Sequence, residues 1–284
     1  MTPLLFSLVV LASSFAAGVL GSLLGLGGGV VVIPVLTLAL GVDIRLAIAA
    51  SAIAVVATSS SGATENVRSG LANLRLAAFL ELGAAAGALT GALLSGVVAP
   101  RTLYVVFGVM LAVSGLVLLR KAHPPAAPEA LAEATPEAAA LDPGGLRLGG
   151  VSVDDDGRRF AYRVHRPGLG LALIYLAGLF GGMLGVGAGV LKVPALDLAM
   201  KVPWRASTAT SALMIGVTAA ASAGVFLGRG DVAPIVAAPV AVGVVLGAQA
   251  GSRLARRMPS WATRSLFFVV VAYVSVQMLR RGLA

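Results

Sequence analysis

The sequence predicts an all-α polytopic membrane protein of about eight transmembrane helices in two homologous halves, each carrying a Gly-rich broken or re-entrant segment. Three observations lead there. The 284 residues are 58% hydrophobic and 12% charged, with a mean hydropathy of +0.97, whereas soluble domains are about 25% charged. Apolar runs of spanning length, about 20 residues, recur along the chain. Finally, the chain repeats itself. Set over Gly178–Leu196 (GLFGGMLGVGAGVLKVPAL), the stretch Gly18–Leu36 (GVLGSLLGLGGGVVVIPVL) is identical at 9 of 19 positions, at an offset of 160 residues. The same offset pairs Arg45 with Arg205, Ser51 with Ser211, Thr58 with Thr218, and Gly83, Gly87 and Gly91 with Gly243, Gly247 and Gly251.

The first half, 1–121, opens with an apolar run over 3–24. It lacks the positive region of a signal peptide and recurs later, so it reads as a mature transmembrane helix. A glycine break follows, then a short apolar piece at 29–40 and runs at 46–64, 74–98 and 101–119. The second half, 167–284, repeats these near 168–184, 189–200, 206–228, 232–252 and 262–280. The short pieces cannot span alone, which gives four crossings per half and parallel repeats; if they cross fully, the count is odd and the repeats are inverted. Between the halves, 122–166 begins as a Pro/Ala/Glu linker. It then alternates apolar and polar residues around Asp156-Gly157, as a small β-hairpin outside the membrane would.

Arg120, Lys121, Arg163 and Arg166 flank the linker and Arg280-Arg281 close the chain. The positive-inside rule therefore places linker and C-terminus in the cytoplasm, in the inner (cytoplasmic) membrane. Arg253, Arg256 and Arg257 then fall on the far side, against the rule.

Several function classes are excluded. The net charge of +9 is spread in short clusters between apolar runs, which suits membrane-surface loops and not nucleic acid. There is no cysteine, and both histidines, His123 and His165, lie in the linker, so neither a metal site nor an enzyme's nucleophile–base pair is expected in the membrane. No cofactor is expected either. GLGGGV has Val30 where a dinucleotide fingerprint needs its last glycine, and neither repeat offers Gly-Lys-Ser/Thr. A channel would need a polar stripe along several helices, and none stands out. The expected partners are the bilayer and a small anionic substrate, with a homodimer left open.

The glycine break itself demands an explanation. Glycine weakens a helix by about 1 kcal/mol and proline by about 3, and hydrocarbon offers no water to a freed N–H or C=O. The series Gly83, Gly87 and Gly91 reads as close helix packing. Gly25–Gly29 followed by Pro34 does more, because it frees backbone where many transporters bind substrate. Half-helix N-termini favour anions. The candidate anion-binding residues are Gly25, Gly27, Gly28, Gly29, Pro34 and Ser51 in one half. In the other they are Gly185, Gly187, Ala188, Gly189, Lys192, Pro194 and Ser211. Lys192, matching Val32, is the sharp departure between the repeats and reads either as an anion ligand or as a snorkelling side chain. Glu81 and Asp197 are candidates for pairing or proton coupling. Thr58, Thr208, Thr210 and Thr218 offer hydroxyls that could equally bond their own helices. Arg45 and Arg205 read as interfacial anchors.

At GSLLGLGGGVVVIPVL and IRLAIAASAIAV, and at their echoes GGMLGVGAGVLKVPAL and WRASTATSAL, the chain resembles the sulfite exporter TauE/SafE (TSUP) family of bacterial membrane proteins. The resemblance spans nearly everything except 122–165. It implies transport, most simply export, of sulfite, sulfoacetate, sulfonates or related organic anions; other small carboxylates or inorganic anions, or an anion channel, are the alternatives. The Gly28/Ala188 and Val32/Lys192 departures, and the long linker, bear on which substrate is carried.

Overall fold

The computed structural model describes residues 2–23, 28–68, 72–120, 148–153, 159–255 and 260–283. The first half comprises α1 (Pro3–Leu23), α2 (Gly29–Pro34), α3 (Ile44–Arg68), α4 (Leu74–Val97) and α5 (Pro100–Arg120). The second comprises α6 (Pro167–Met183), α7 (Gly189–Pro194), α8 (Trp204–Arg229), α9 (Pro234–Ala255) and α10 (Ser260–Leu283). Eight of these helices are 17 to 26 residues long and two, α2 and α7, have six. The chain is an all-α polytopic membrane protein. Leu4–Leu23, Leu74–Val97, Ala206–Arg229 and Pro234–Leu254 are each long and apolar enough to cross a membrane, and α3, α5 and α6 carry shorter apolar stretches.

The 160-residue offset holds in three dimensions. Pro34 and Pro194 each end a six-residue helix and lead into a wide π turn, at Val35–Ala39 and Ala195–Ala199. Proline supplies no N–H to the ladder, and the wider turn absorbs the gap. Thr37 Oγ1 donates to the Ile33 carbonyl at 2.8 Å. Each π turn closes on a left-handed residue, Gly41 (φ 65) or Lys201 (φ 55), with matching bonds from Val42 N to Leu36 O (3.0 Å) and Val202 N to Leu196 O (3.1 Å).

The glycine series packs as the sequence predicts, but across the halves. A Cβ at Gly87 would lie 2.1 Å from Tyr175 O and one at Gly91 1.9 Å from Leu179 O, so α4 seats backbone-to-backbone on α6. In the mirror arrangement, a Cβ at Gly247 would lie 2.2 Å from Phe15 O and one at Gly251 2.6 Å from Val19 O, which seats α9 on α1. The halves are thus interlocked.

Helix α5 meets its own counterpart, α10. Gly115 faces Val271, Ser275 Oγ donates to Gly108 O at 2.8 Å, and Gly282 faces Val105 and Arg101 O. Numbers rise on one helix as they fall on the other, so the pair is antiparallel. The axis relating the halves therefore runs across the helices, and the repeats are inverted, not parallel. The physical reason is the glycine break: α2 and α7 carry the chain back, so each half makes an odd number of passes. This corrects the placement of the ends. The linker leaves from the C-terminal end of α5, whereas the C-terminus lies beside the start of α5, where Gly282 meets Arg101. Linker and C-terminus occupy opposite faces. Arg253, ending α9, lies on the linker face, because α9 starts beside Arg229, which donates to Ala92 O near the far end of α4. Arg256 and Arg257 lie outside the described residues.

The predicted hairpin forms from β1 (Gly150–Val153) and β2 (Arg159–Tyr162), paired antiparallel with Gly150 opposite Tyr162 and Val153 opposite Arg159. Asp156 and Gly157, the expected turn, lie outside the described residues. Two short strands are not stable alone, and these are docked. Leu148, Tyr162 and Val164 are buried with Leu76, Leu80, Met200, Val202 and Met214. Asn73 is the fastener: its Oδ1 accepts from Leu76 N at 3.0 Å as the cap of α4, while its Nδ2 donates to Leu148 O at 2.8 Å and to Tyr162 OH at 3.1 Å.

Two outcomes follow from this arrangement. Asn73→Ala removes a cap and the hairpin bonds together, and should lower stability by about 1–2 kcal/mol, read as a fall in unfolding temperature in detergent. Single cysteines placed at Val151 and at Leu283 of this cysteine-free chain should be labelled by an impermeant reagent from opposite sides of the membrane. Labelling of both from one side would refute the inverted arrangement.

Candidate functional site

The second glycine break is a tight left-handed turn. Gly185 (φ 64), Gly187 (φ 69) and Ala188 (φ 59) all take positive φ, and Val186 N donates to Gly181 O at 3.0 Å. Glycine adopts this conformation freely, whereas an L-residue such as Ala188 is held there at a cost of about 1 kcal/mol. Its counterpart Gly28 is ordinary, at φ −59. Gly25 and Gly27, two of the predicted site residues, lie outside the described residues.

Both breaks converge on the long helices of both halves. Ser51 Oγ, fully buried on α3, lies 3.0 Å from Gly185 O and 3.3 Å from Gly29 O, so one hydroxyl stitches the two motifs together. A Cβ at Gly29 would lie 2.7 Å from Val55 and 3.4 Å from Val186; one at Gly187 would lie 2.8 Å from Ile215 and 3.1 Å from Val55. Val55 and Ile215, which sequence reasoning missed, stand one turn beyond Ser51 and Ser211. That i+4 spacing on an apolar helix was the available signal. Ser51 is seven residues into a 25-residue helix, and Ile215 eleven into one of 26. At 1.5 Å per residue both lie about 10–16 Å inside, toward mid-depth.

The first intrahelical bonds of α2 and α7 run from Val31 N to Gly28 O (3.3 Å) and from Leu191 N to Ala188 O (3.0 Å). The N–H groups of Gly29, Val30, Gly189 and Val190 precede them and have no acceptor within their helices. Ser211, 1% exposed, has no hydrogen-bond partner among the described residues. Val55, Val186 and Ile215 pack closely around Gly29 and Gly187.

Lys192 does not snorkel. It is fully buried, donating to Met214 O at 3.3 Å and to the Thr218 hydroxyl. Thr218 Oγ1 lies 2.8 Å from Glu81 Oε1 and 2.7 Å from Met214 O. A hydrogen-bonded chain thus runs from α7 through α8 to α4. The ammonium points along this chain, an arrangement the sequence hinted at only through Glu81.

The other candidates separate. Pro34 and Pro194 shape the π turns. Arg45 anchors a helix end, with Nη2 donating to Val98 O at 3.0 Å, as expected of an interfacial anchor. Thr58 donates to Ala54 O at 3.0 Å, its own helix, and Thr210 accepts from Asn73 N at 3.1 Å. Asp197 lies in the second π turn, and Thr208 and Arg205 lie in the first turns of α8.

The model of the sulfite exporter TauE/SafE family matches residues 10–278. The chain is also 23% identical over 282 residues to the Probable membrane transporter protein YunE of Bacillus subtilis (strain 168), covering 97% of this chain and 98% of that one. No solved structure gives a significant match. A match from the first helix to the last, on a chain whose paired glycine breaks meet inside it, identifies this protein as a member of the TauE/SafE family of membrane transporters.

Proposed function

We propose that this protein is a secondary transporter, acting as an exporter, of sulfur-containing or related organic anions such as sulfite, sulfoacetate or other sulfonates. The observation that carries the reading is the junction of the two breaks at Ser51, which bonds the carbonyls of Gly29 and Gly185. Backbone N–H groups at the start of α2 and α7 suit an anion, and Ser211 adds a hydroxyl without a partner among the described residues. In inverted repeats, such discontinuous helices are where transporters hold their cargo. Arg68, Arg75, Arg120, Arg163, Arg166, Lys201 and Arg253 at the linker end, against Arg45, Arg101, Arg229, Arg280 and Arg281 at the other, support a cytoplasmic linker face.

A thermal-shift screen with sulfite, thiosulfate, sulfoacetate, methanesulfonate, taurine and carboxylate analogues tests the substrate class. Stabilisation by ligands follows their affinity, so the sulfur oxyanions and sulfonates should shift the transition more than the carboxylates. Gly187→Val forces a β-branched side chain into φ 69 against Ile215 and Val55. It should abolish transport in vesicles while the protein still inserts. Undiminished transport would remove the breaks from the cargo path.

A further inference from the structure

We propose that Glu81, Thr218 and Lys192 form a proton-coupling site, at which Glu81 takes up one proton for each anion bound beside Lys192. This inference rests on the anion-transport reading and adds the coupling ion to it.

The molecule contains its own control. By the 160-residue offset, the places of Lys192, Thr218 and Glu81 are taken at the mirror positions by Val32, Thr58 and Ala241, each in the half opposite its counterpart. The same architecture is therefore built once with an apolar pair and once with a charged pair. The fold does not require the charges. Exchanging a buried ion pair for apolar residues is commonly neutral or stabilising, and an ionisable residue kept inside a membrane segment points to function. Lysine and glutamate also depart from the repeat together, at positions that meet only in three dimensions.

The register is firm. Helix α4 runs alongside α8 with Asn73 N on Thr210, Thr218 on Glu81 and Arg229 on Ala92 O, each pair 137 residues apart. Thr218 accepts from Lys192 and has a single hydrogen to give, with two acceptors in reach: Glu81 Oε1 at 2.8 Å and Met214 O at 2.7 Å. With Glu81 ionised, the hydroxyl favours the carboxylate. With Glu81 protonated, it can turn to its own helix, and the ammonium loses its counter-charge. Glu81 Oε2 is buried with no hydrogen-bond partner among the described residues, a position open to the incoming proton.

Charge decides the coupling. An anion arriving at Lys192 while Glu81 is ionised sets two negative charges against one ammonium, and protonation of Glu81 removes the conflict. Linkage makes the effect reciprocal, so each ligand raises the affinity for the other by the same factor. The proton comes from the aqueous phase and returns to it, leaving the covalent structure unchanged. Among the described residues, Lys192 is the charged group facing Glu81. Of the helices packed on α4, α6 presents Tyr175, which meets Thr90 at 3.2 Å, and α8 presents Arg229, bonded eleven residues further along at Ala92. Arg75 on α4 is exposed, the docked hairpin brings the neutral Tyr162 to Asn73, and Asp197 lies in the π turn beside α6.

Two readouts keep this inference separate from the anion reading. Without any anion, infrared difference spectra of the purified protein should show a protonated buried carboxyl growing in across a titration from alkaline to acidic pH. The band should be missing from Glu81→Gln. Its absence from the wild-type protein overturns the proton site, whatever the cargo proves to be. With methanesulfonate, whose charge is constant in this range, wild-type affinity should rise by up to about tenfold per pH unit lowered, and Glu81→Gln should bind independently of pH. Wild-type affinity that ignores pH overturns the coupling and leaves the anion reading intact. Should methanesulfonate not bind, the infrared band alone decides the proton site. Lys192→Val combined with Glu81→Ala copies the mirror positions Val32 and Ala241 and should insert and unfold as the wild type does, without the band. A double variant that cannot fold would make the pair structural and defeat the proposal.

Discussion

Everything else in this molecule depends on the close approach of helix backbones belonging to opposite halves. Hydrocarbon gives apolar side chains no reason to leave it, so membrane helices associate through packing at short range. Glycines four apart on α4 and α9 supply that range: at Gly87 and Gly247 a Cβ would come within 2.1 Å and 2.2 Å of a carbonyl oxygen on the partner helix. Because each glycine stripe serves the other half's first helix, neither half closes by itself. The interlock encloses the two breaks, and enclosure is what makes irregular backbone tolerable at membrane depth.

Much of this could be read from residues alone. The offset that aligns Gly25–Pro34 with Gly185–Pro194 also makes α7 the counterpart of α2 and one π turn the counterpart of the other, because similar local chemistry was copied with identical spacing. The glycine series announced close packing through its four-residue period. Its partner was not legible, since period specifies a face and says nothing of what covers it. The orientation of the halves was obscured for a related reason. Whether a break plus a short helix returns the chain depends on the turn at Gly185–Ala188, and the charge pattern alone left Arg253 unexplained. With the halves inverted, that residue joins the other basic residues of the linker face.

The hairpin and Lys192 show the same limit at finer scale. Alternation in GVSV and RFAY marks two strands, but Leu148, Tyr162 and Val164 acquire meaning only against Leu76, Met200 and Met214. Lys192 looked like an isolated cation beside a glycine turn, close to where an anion was sought. Its hydroxyl neighbour lies 26 residues away and the carboxylate beyond it belongs to the other half. A three-group contact of that kind has no local signature, except that two positions break the repeat at once.

The breaking of symmetry at these positions has a mechanical meaning. An inverted repeat makes the inward-facing and outward-facing conformations near-equivalent exchanges of the same two units. A perfectly symmetric pair would leave them equal in energy and indifferent to cargo. Here Lys192 of the second half meets Glu81 of the first, whereas the mirror positions hold Val32 and Ala241, and Ala188 takes a left-handed conformation where its counterpart Gly28 is right-handed. The charged group and the strained turn sit on the same segment, four residues apart, at the start of α7. A ligand that changes the charge balance at Lys192 therefore acts close to Ala188, a residue held out of its preferred backbone conformation. A ligand biases two conformations only by interacting with them differently, and the scaffold places that difference where Lys192 of one half meets Glu81 of the other through Thr218.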